Sequence, residues 1–136
     1  MNVFVDAGPF RAFVSPRDQS RKKTLNILTK LAKDNVHLIT TDYVIDEVFT
    51  GLVAHIKGGY PYIQKFEKEI LQSNILTIEW IGKERFYQTK KFFLKVSKDK
   101  QWSFTDCTSY VVMKELKVKT VFTFDDHFQE MGFTLL

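Results

Sequence analysis

The sequence predicts an α/β domain with a central, mostly parallel sheet of four to five strands, flanked by helices on both faces. Three observations predict it. Short β-branched and aromatic runs alternate with amphipathic stretches in the order β, α, β, α, α, β, α, α, β, with a short apolar run at the end. The 136 residues suit one domain rather than separate lobes, so residues 1–136 are read as a single unit. Hydrophobic residues (44%) and aromatics (15%) supply a core, yet no stretch approaches the roughly 20 uninterrupted apolar residues of a membrane span.

The elements follow in order. Asn2 to Val5 reads as a buried first strand ending at Asp6, with Gly8 and Pro9 as a break behind it. From about Asp18 to Asp34, Leu25, Leu28, Leu31 and Ala32 recur at helical spacing with a basic face between them. Val36 to Thr40 is a second strand. Thr41 or Asp42 caps a helix whose stripe is Ile45, Val48, Leu52 and Ile56, and Gly58-Gly59 ends it. After Pro61, Tyr62 to Gln72 is an amphipathic helix, Ile75 to Ile81 a weakly alternating strand, and Gly82 a punctuation point. Glu84 to about Lys98 is helical, with Phe86, Phe93 and Leu94 among lysines. Ser103-Phe104-Thr105-Asp106 matches a capping box and opens a helix with the stripe Cys107, Tyr110, Val111 and Leu116. Thr120 to Phe124 is a strong β run ending at Asp125-Asp126, and Phe133 to Leu136 a last short strand.

Cys107 is the only cysteine, which excludes a disulfide framework and a cysteine-rich zinc site and suits a reducing compartment. The opening MNVFVDAGPF lacks the basic region of a secretory signal, so cytoplasmic residence is expected. Twenty Lys and Arg against sixteen Asp and Glu leave a net charge of +4, mildly favouring an anionic partner. The distribution says more. Basic residues gather in two runs, Arg17 to Lys33 and Lys83 to Lys100. Acids dominate where those runs stop, at Asp34, Asp42, Asp46 and Glu47 and again at Asp125, Asp126 and Glu130.

In a parallel sheet function sits at the carboxyl ends of strands. Asp6 and Asp125-Asp126 end strands there, while Glu47 and Asp106 lie in the first two turns of helices, so four acidic positions can meet at one edge. Each has an ordinary explanation: a turn for Asp6, a capping box for Asp106, a cap for the Asp125-Asp126 pair. Asp46 is the outward acid of its pair, leaving Glu47 nearer the buried stripe and in need of a partner. Together they are harder to dismiss, because gathered carboxylates repel unless a cation or proton relieves them. One or two hard ions, Mg²⁺ or Mn²⁺, would relieve them and activate water against a phosphate ester without a nucleophilic side chain. Thr41 and Thr105 are auxiliary hydroxyl candidates, though Thr at a helix start is commonly a cap. His37 and His55 are given no chemical role, and His127 follows the acid pair and could approach a phosphate, though a lone His near a turn is more often a surface residue. Cys107 is read as core, and Phe92, Phe93 and Trp102 as core or interface unless exposed near the site.

Val3-Phe4-Val5-Asp6, Thr40-Thr41-Asp42-Tyr43-Val44-Ile45-Asp46-Glu47, Ser103-Phe104-Thr105-Asp106-Cys107 and Thr123-Phe124-Asp125-Asp126-His127-Phe128 occur in an order that resembles PIN domains, especially VapC-type toxin ribonucleases. The likeness covers essentially the whole chain and closes with a Gly132-Phe133 strand. It implies a PIN-like fold, Mg²⁺ or Mn²⁺ dependence, cleavage of single-stranded RNA, an antitoxin protein covering the acids, and a homodimer. Carried over, Asp6 and Asp106 would be direct metal ligands, with Glu47 and Asp125 ligating through water or orienting the nucleophile. Two positions depart from the pattern. The family often has a hydroxyl residue where this chain has Gly8, and Asp126 adjoins Asp125 closely enough to share its role. The competing reading is a catalytically silent PIN-fold module that binds nucleic acid, which the presence of all four acids argues against. A phosphate-accepting receiver is disfavoured, since Asp6 has no paired acid and Thr120 to Leu136 contains no Lys.

Overall fold

The computed structural model describes residues 1–136. Its five strands are β1 (Asn2–Val5), β2 (His37–Thr41), β3 (Leu76–Glu79), β4 (Thr120–Phe122) and β5 (Thr134–Leu135). All pair in parallel, in the order β3-β2-β1-β4-β5. β1 is central, and Val3, Phe4 and Val5 are fully buried, which is why a strand with helices on both sides reads as a continuous apolar run rather than an alternation. The chain winds outward from β1 to β3 and then returns to place β4 on the other side of β1. A crevice opens at the carboxyl ends where that reversal occurs.

The helices are α1 (Ala7–Val14), α2 (Arg21–Lys33), α3 (Asp42–His55), α4 (Tyr60–Phe66), α5 (Gly82–Val96), α6 (Phe104–Glu115) and α7 (His127–Glu130), with a π-helical stretch, Glu67–Leu71, continuing α4. α1 packs on α2, α3 and α4, α5 packs on α6, and α3 touches α6. Phe66 joins the first group by meeting Phe10 and Phe49, each at 5.5 Å between ring centroids. No helix is long and apolar enough to cross a membrane.

Several elements differ from the sequence reading. The break expected at Gly8-Pro9 is the start of α1. Pro9 is its third residue, where a missing N–H removes no intrahelical bond. The β run expected to reach Phe124 leaves the sheet after Phe122, because the Thr123 hydroxyl takes the Asp125 N–H at 3.0 Å and turns the chain. A short α7 follows. α3 ends at His55, before the Gly58-Gly59 pair, and Gly58 adopts φ 68° in the turn beyond. The buried faces are rotated slightly from the expected stripes. α3 buries Val44, Val48, Gly51 and Leu52, and α6 buries Cys107, Thr108, Val112 and Met113. In α5, Leu94 is 64% exposed and the fully buried residue is Thr89.

Candidate active site

Asp6 is the first residue past β1. Its backbone N–H continues the ladder by donating to Phe122 O at 3.0 Å, and this fixes the carboxylate at the crevice between β1 and β4. Thr123, just past β4, donates its hydroxyl to Asp6 Oδ2 at 2.8 Å. That one threonine therefore orients Asp6 with its proton and Asp125 with its lone pair. Asp125 in turn accepts the His127 N–H at 2.9 Å on Oδ1, closing a local turn.

Asp106 arrives from α6. The expected capping box is present: Ser103 Oγ accepts the Asp106 N–H at 3.0 Å and Asp106 Oδ2 accepts the Ser103 N–H at 3.4 Å. The capping role does not remove Asp106 from the site. Its carboxylate lies 3.4 Å from His127 Nδ1, and His127 lies 3.3 Å from Asp125. Asp106, Asp125 and His127 thereby offer three ligand atoms within 4.8 Å of one another. Glu47 comes from the second turn of α3, half-buried, while its neighbour Asp46 points to solvent as expected.

These residues line one open bowl of about 760 Å³, which holds Asp6, Glu47, Asp106, Asp125 and Asp126 together. Asp126 is exposed, whereas Asp125 belongs to the tight cluster with Asp106. Thr105 stands beside Glu47 and favours its charged form. Thr41 does not reach the bowl. It is fully buried and caps α3 by accepting the Val44 N–H at 3.1 Å.

The electrostatics follow from this crowding. Burial, reinforced by Asp106 and Asp125, raises the Asp6 carboxyl above its ordinary range. Burial and then the charges of Asp6 and Asp106 raise Glu47, and burial with Asp125 raises Asp106 against the lowering influence of His127. Asp6 and Glu47 line the same hollow, but only Asp106, Asp125 and His127 bring ligand atoms within 4.8 Å of one another, a mainly oxygen donor set suited to a divalent cation. Cys107, buried behind Asp106, has its thiol pushed up to about 11 and supplies no thiolate nucleophile at neutral pH.

Three lining residues, Arg11, Phe124 and His127, and Thr123, which bonds to Asp6 without lining the bowl, were not among the expected site residues. Thr123 was legible only as part of the Thr-Phe-Asp motif. His127 could approach a phosphate on the sequence reading but weighed more as a surface turn residue. Arg11 lay past the Gly8-Pro9 break, in a stretch assigned no element. Phe124, 39% exposed, supplies the aromatic wall expected from Phe92, Phe93 or Trp102. Phe92 instead stacks on Tyr110 at 4.2 Å, Phe93 meets Phe104, and Trp102 is buried. Gly8 also gains an explanation: a Cβ there would stand 3.1 Å from Phe124 Cδ2, so the missing hydroxyl makes room for the ring.

Comparison with known proteins agrees with the fold. Residues 3–134 match the PIN domain family. A VapC ribonuclease of Archaeoglobus fulgidus is 28% identical over 129 residues, covering 94% of this chain and 80% of that protein. Among solved structures, the sarcin-ricin loop cleaving toxin VapC20 of Mycobacterium tuberculosis superposes with a TM-score of 0.81 at 20% identity, over 97% of this chain and 96% of that one. VapBC2 of Rickettsia felis, bound to a promoter DNA fragment, gives 0.74 at 15% identity over 100% and 98%. With the family match spanning both strand-end acids and both helix-borne ones, the chain belongs to the PIN domain family.

Proposed function

We propose that this protein is a metal-dependent endoribonuclease that hydrolyses phosphodiester bonds in single-stranded RNA, as the toxin of a toxin–antitoxin pair. The observation that carries it is the convergence of Asp6, Glu47, Asp106 and Asp125 in one bowl at the switch point of the sheet. Relatives named as a VapC ribonuclease and a sarcin-ricin loop cleaving toxin support the RNA substrate, and the VapBC2 assembly supports a protein partner.

Asp6 and Asp106, with Asp125, would hold Mg²⁺ or Mn²⁺. Such an ion supplies a water of lowered pKa and charge stabilisation at the phosphate. The chain's own groups do the rest. Thr123 keeps Asp6 oriented through its hydroxyl proton, the capping box fixes Asp106, and Glu47, lining the same bowl, would orient water or accept a proton from it. Burial and the charges of Asp6 and Asp106 raise the Glu47 pKa, the direction that makes it the stronger proton acceptor. Phe124 offers a ring face on which an unpaired base can stack, under a lysine, Lys23, whose ammonium lies 5.8 Å from the ring centroid. An antitoxin would cover the bowl and satisfy its carboxylates with a guanidinium, and a second copy of the chain would form the toxin dimer.

The test is cleavage of a labelled single-stranded RNA in Mn²⁺, in Mg²⁺ and in EDTA, by the wild type and by Asp6→Asn and Asp106→Asn. Cutting that needs the ion and falls beyond about 100-fold in both variants is the expected result. Metal-independent cutting, or undiminished cutting by the variants, would remove the carboxylates from the mechanism. Binding of RNA without any cutting would favour the silent module.

A further inference from the structure

Arg11 is the one Lys or Arg that lines the acidic bowl, and it takes part in none of the chain's ion pairs. Its passage is prepared by the neighbouring helix. Gly51, buried in α3, faces it: a Cβ there would stand 2.9 Å from Arg11 Cδ and 3.2 Å from Nη1. Glycine is otherwise a poor choice in a helix interior. α3 is notched where the arginine crosses.

The notch continues the bowl into a groove. A second hollow of about 400 Å³ shares Arg11 and Glu47 with the first and extends along α3 to His55, adding one acid, the exposed Asp46. A third, of about 420 Å³, shares His55 and ends at Arg17, Lys57 and Tyr62, with no acid in its walls. Arg11, His55 and the Arg17–Lys57 pair thus form a line of increasingly positive character leading away from the carboxylates. The opposite lip of the bowl carries Asp126 and Glu130, and the nearby Lys100 is engaged by Glu130 at 3.8 Å. Only the α1–α3 side offers unpaired guanidinium next to the acids.

We propose that the RNA backbone runs along this groove, with Arg11 gripping a phosphate next to the cleaved one and Arg17 and Lys57 neutralising phosphates further along. A planar guanidinium that makes no hydrogen bond or salt bridge, although its charge acts on Glu47, and that crosses α3 where a glycine leaves room for it is suited to bidentate phosphate contact. The identity of the polyanion rests on the ribonuclease reading above, while the path rests on the groove itself.

The experiment is equilibrium binding of a labelled single-stranded RNA across a salt series, with Ca²⁺ as the divalent ion. It compares the wild type with Arg11→Ala, Gly51→Ala, Arg17→Ala/Lys57→Ala and Lys114→Ala, a control at the far end of α6. Each phosphate contact in a single strand contributes about 0.7 to the slope of log affinity against log salt. Arg11→Ala is expected to weaken binding several-fold and lower the slope by about 0.7, and the double variant to lower it by about 1.4. Lys114→Ala leaves it unchanged. Gly51→Ala, which favours the helix, is expected to weaken binding as Arg11→Ala does while its Tm holds or rises, a combination a purely structural glycine would not give. Under cleavage conditions Arg11→Ala raises KM more than it lowers kcat. Slopes equal to the wild type's in the folded variants, or no RNA binding by the wild type, overturn the path. The expected slopes in a protein that never cleaves would instead keep the path and remove the ribonuclease reading.

Discussion

Asp6 concentrates the cost of the site in one residue. It is 8% exposed, one oxygen accepts from Thr123, and Asp106 and Asp125 stand nearby. Burial raises its pKa, so the native protein holds this proton at pH values where the unfolded chain has released it. The resulting stability is fully present below the ordinary carboxylate pKa and is lost as pH rises through the raised value. Glu47 and Asp106 shift in the same direction and add to the effect. In EDTA, Asp6→Asn should therefore melt several degrees above the wild type near about pH 7.5, and the gap should close towards about pH 4, where both carry a neutral group. The amide oxygen can still accept from Thr123, which keeps the comparison fair. Thermal melts across that range check it, and a variant that melts lower at neutral pH would mean that Asp6 is stabilised rather than strained by its surroundings.

At the scale of elements, one N-terminal turn serves both fold and site. Ser103 caps α6, and the reciprocal bond to Asp106 holds the carboxylate at the bowl. Ser103→Ala is expected to lower stability by about 1 kcal/mol and weaken Mn²⁺ binding by about 10-fold, with Ser103→Thr restoring both. Urea unfolding and a Mn²⁺ titration measure the two effects, and loss of stability with unchanged ion affinity would separate the cap from the site. This turn was readable in the sequence because a capping box is local chemistry at fixed spacing. So was Asp6, since a β run ending in an acid needs only period and punctuation, whereas Asp125 reaches the same edge by a turn after β4 has ended at Phe122. α1 was misread: Gly8-Pro9 carries a breaker signal, yet Pro in a first turn costs no helical hydrogen bond, so the pair fits a helix start as well as a break. α7 failed for lack of length. Thr123, Phe124 and Arg11 were hidden for another reason. Their roles depend on contacts with Asp6, Gly8 and Gly51 across the chain, which no local window contains. Part of the second basic run is engaged within the chain. Its Arg85 bridges Glu79 at 3.1 Å and pairs with Glu115, tying β3 to α5 and α6.

For the whole molecule, the order β3-β2-β1-β4-β5 brings the two ends of the chain together: Asp6 near the N-terminus meets Thr123 across 117 positions. Folding must close this long-range contact before the bowl exists, so an ion that needs several of its carboxylates binds the native state and not the unfolded chain. Linkage then gives a size to the effect. An ion at about 100 times its dissociation constant stabilises the fold by about 2.7 kcal/mol, or roughly 10 °C in Tm for a domain of this length. Mn²⁺ should raise the Tm of the wild type progressively with concentration, EDTA should reverse the rise, and Asp6→Asn/Asp106→Asn should show little of it. The double variant starts from a higher Tm in EDTA, because the repulsion that the ion relieves has already been removed. The two melting curves should therefore approach each other as Mn²⁺ is added. An equal Mn²⁺ shift in both proteins would place the ion elsewhere on the surface, and no shift in either would leave protons, rather than a metal, as the relief for these carboxylates.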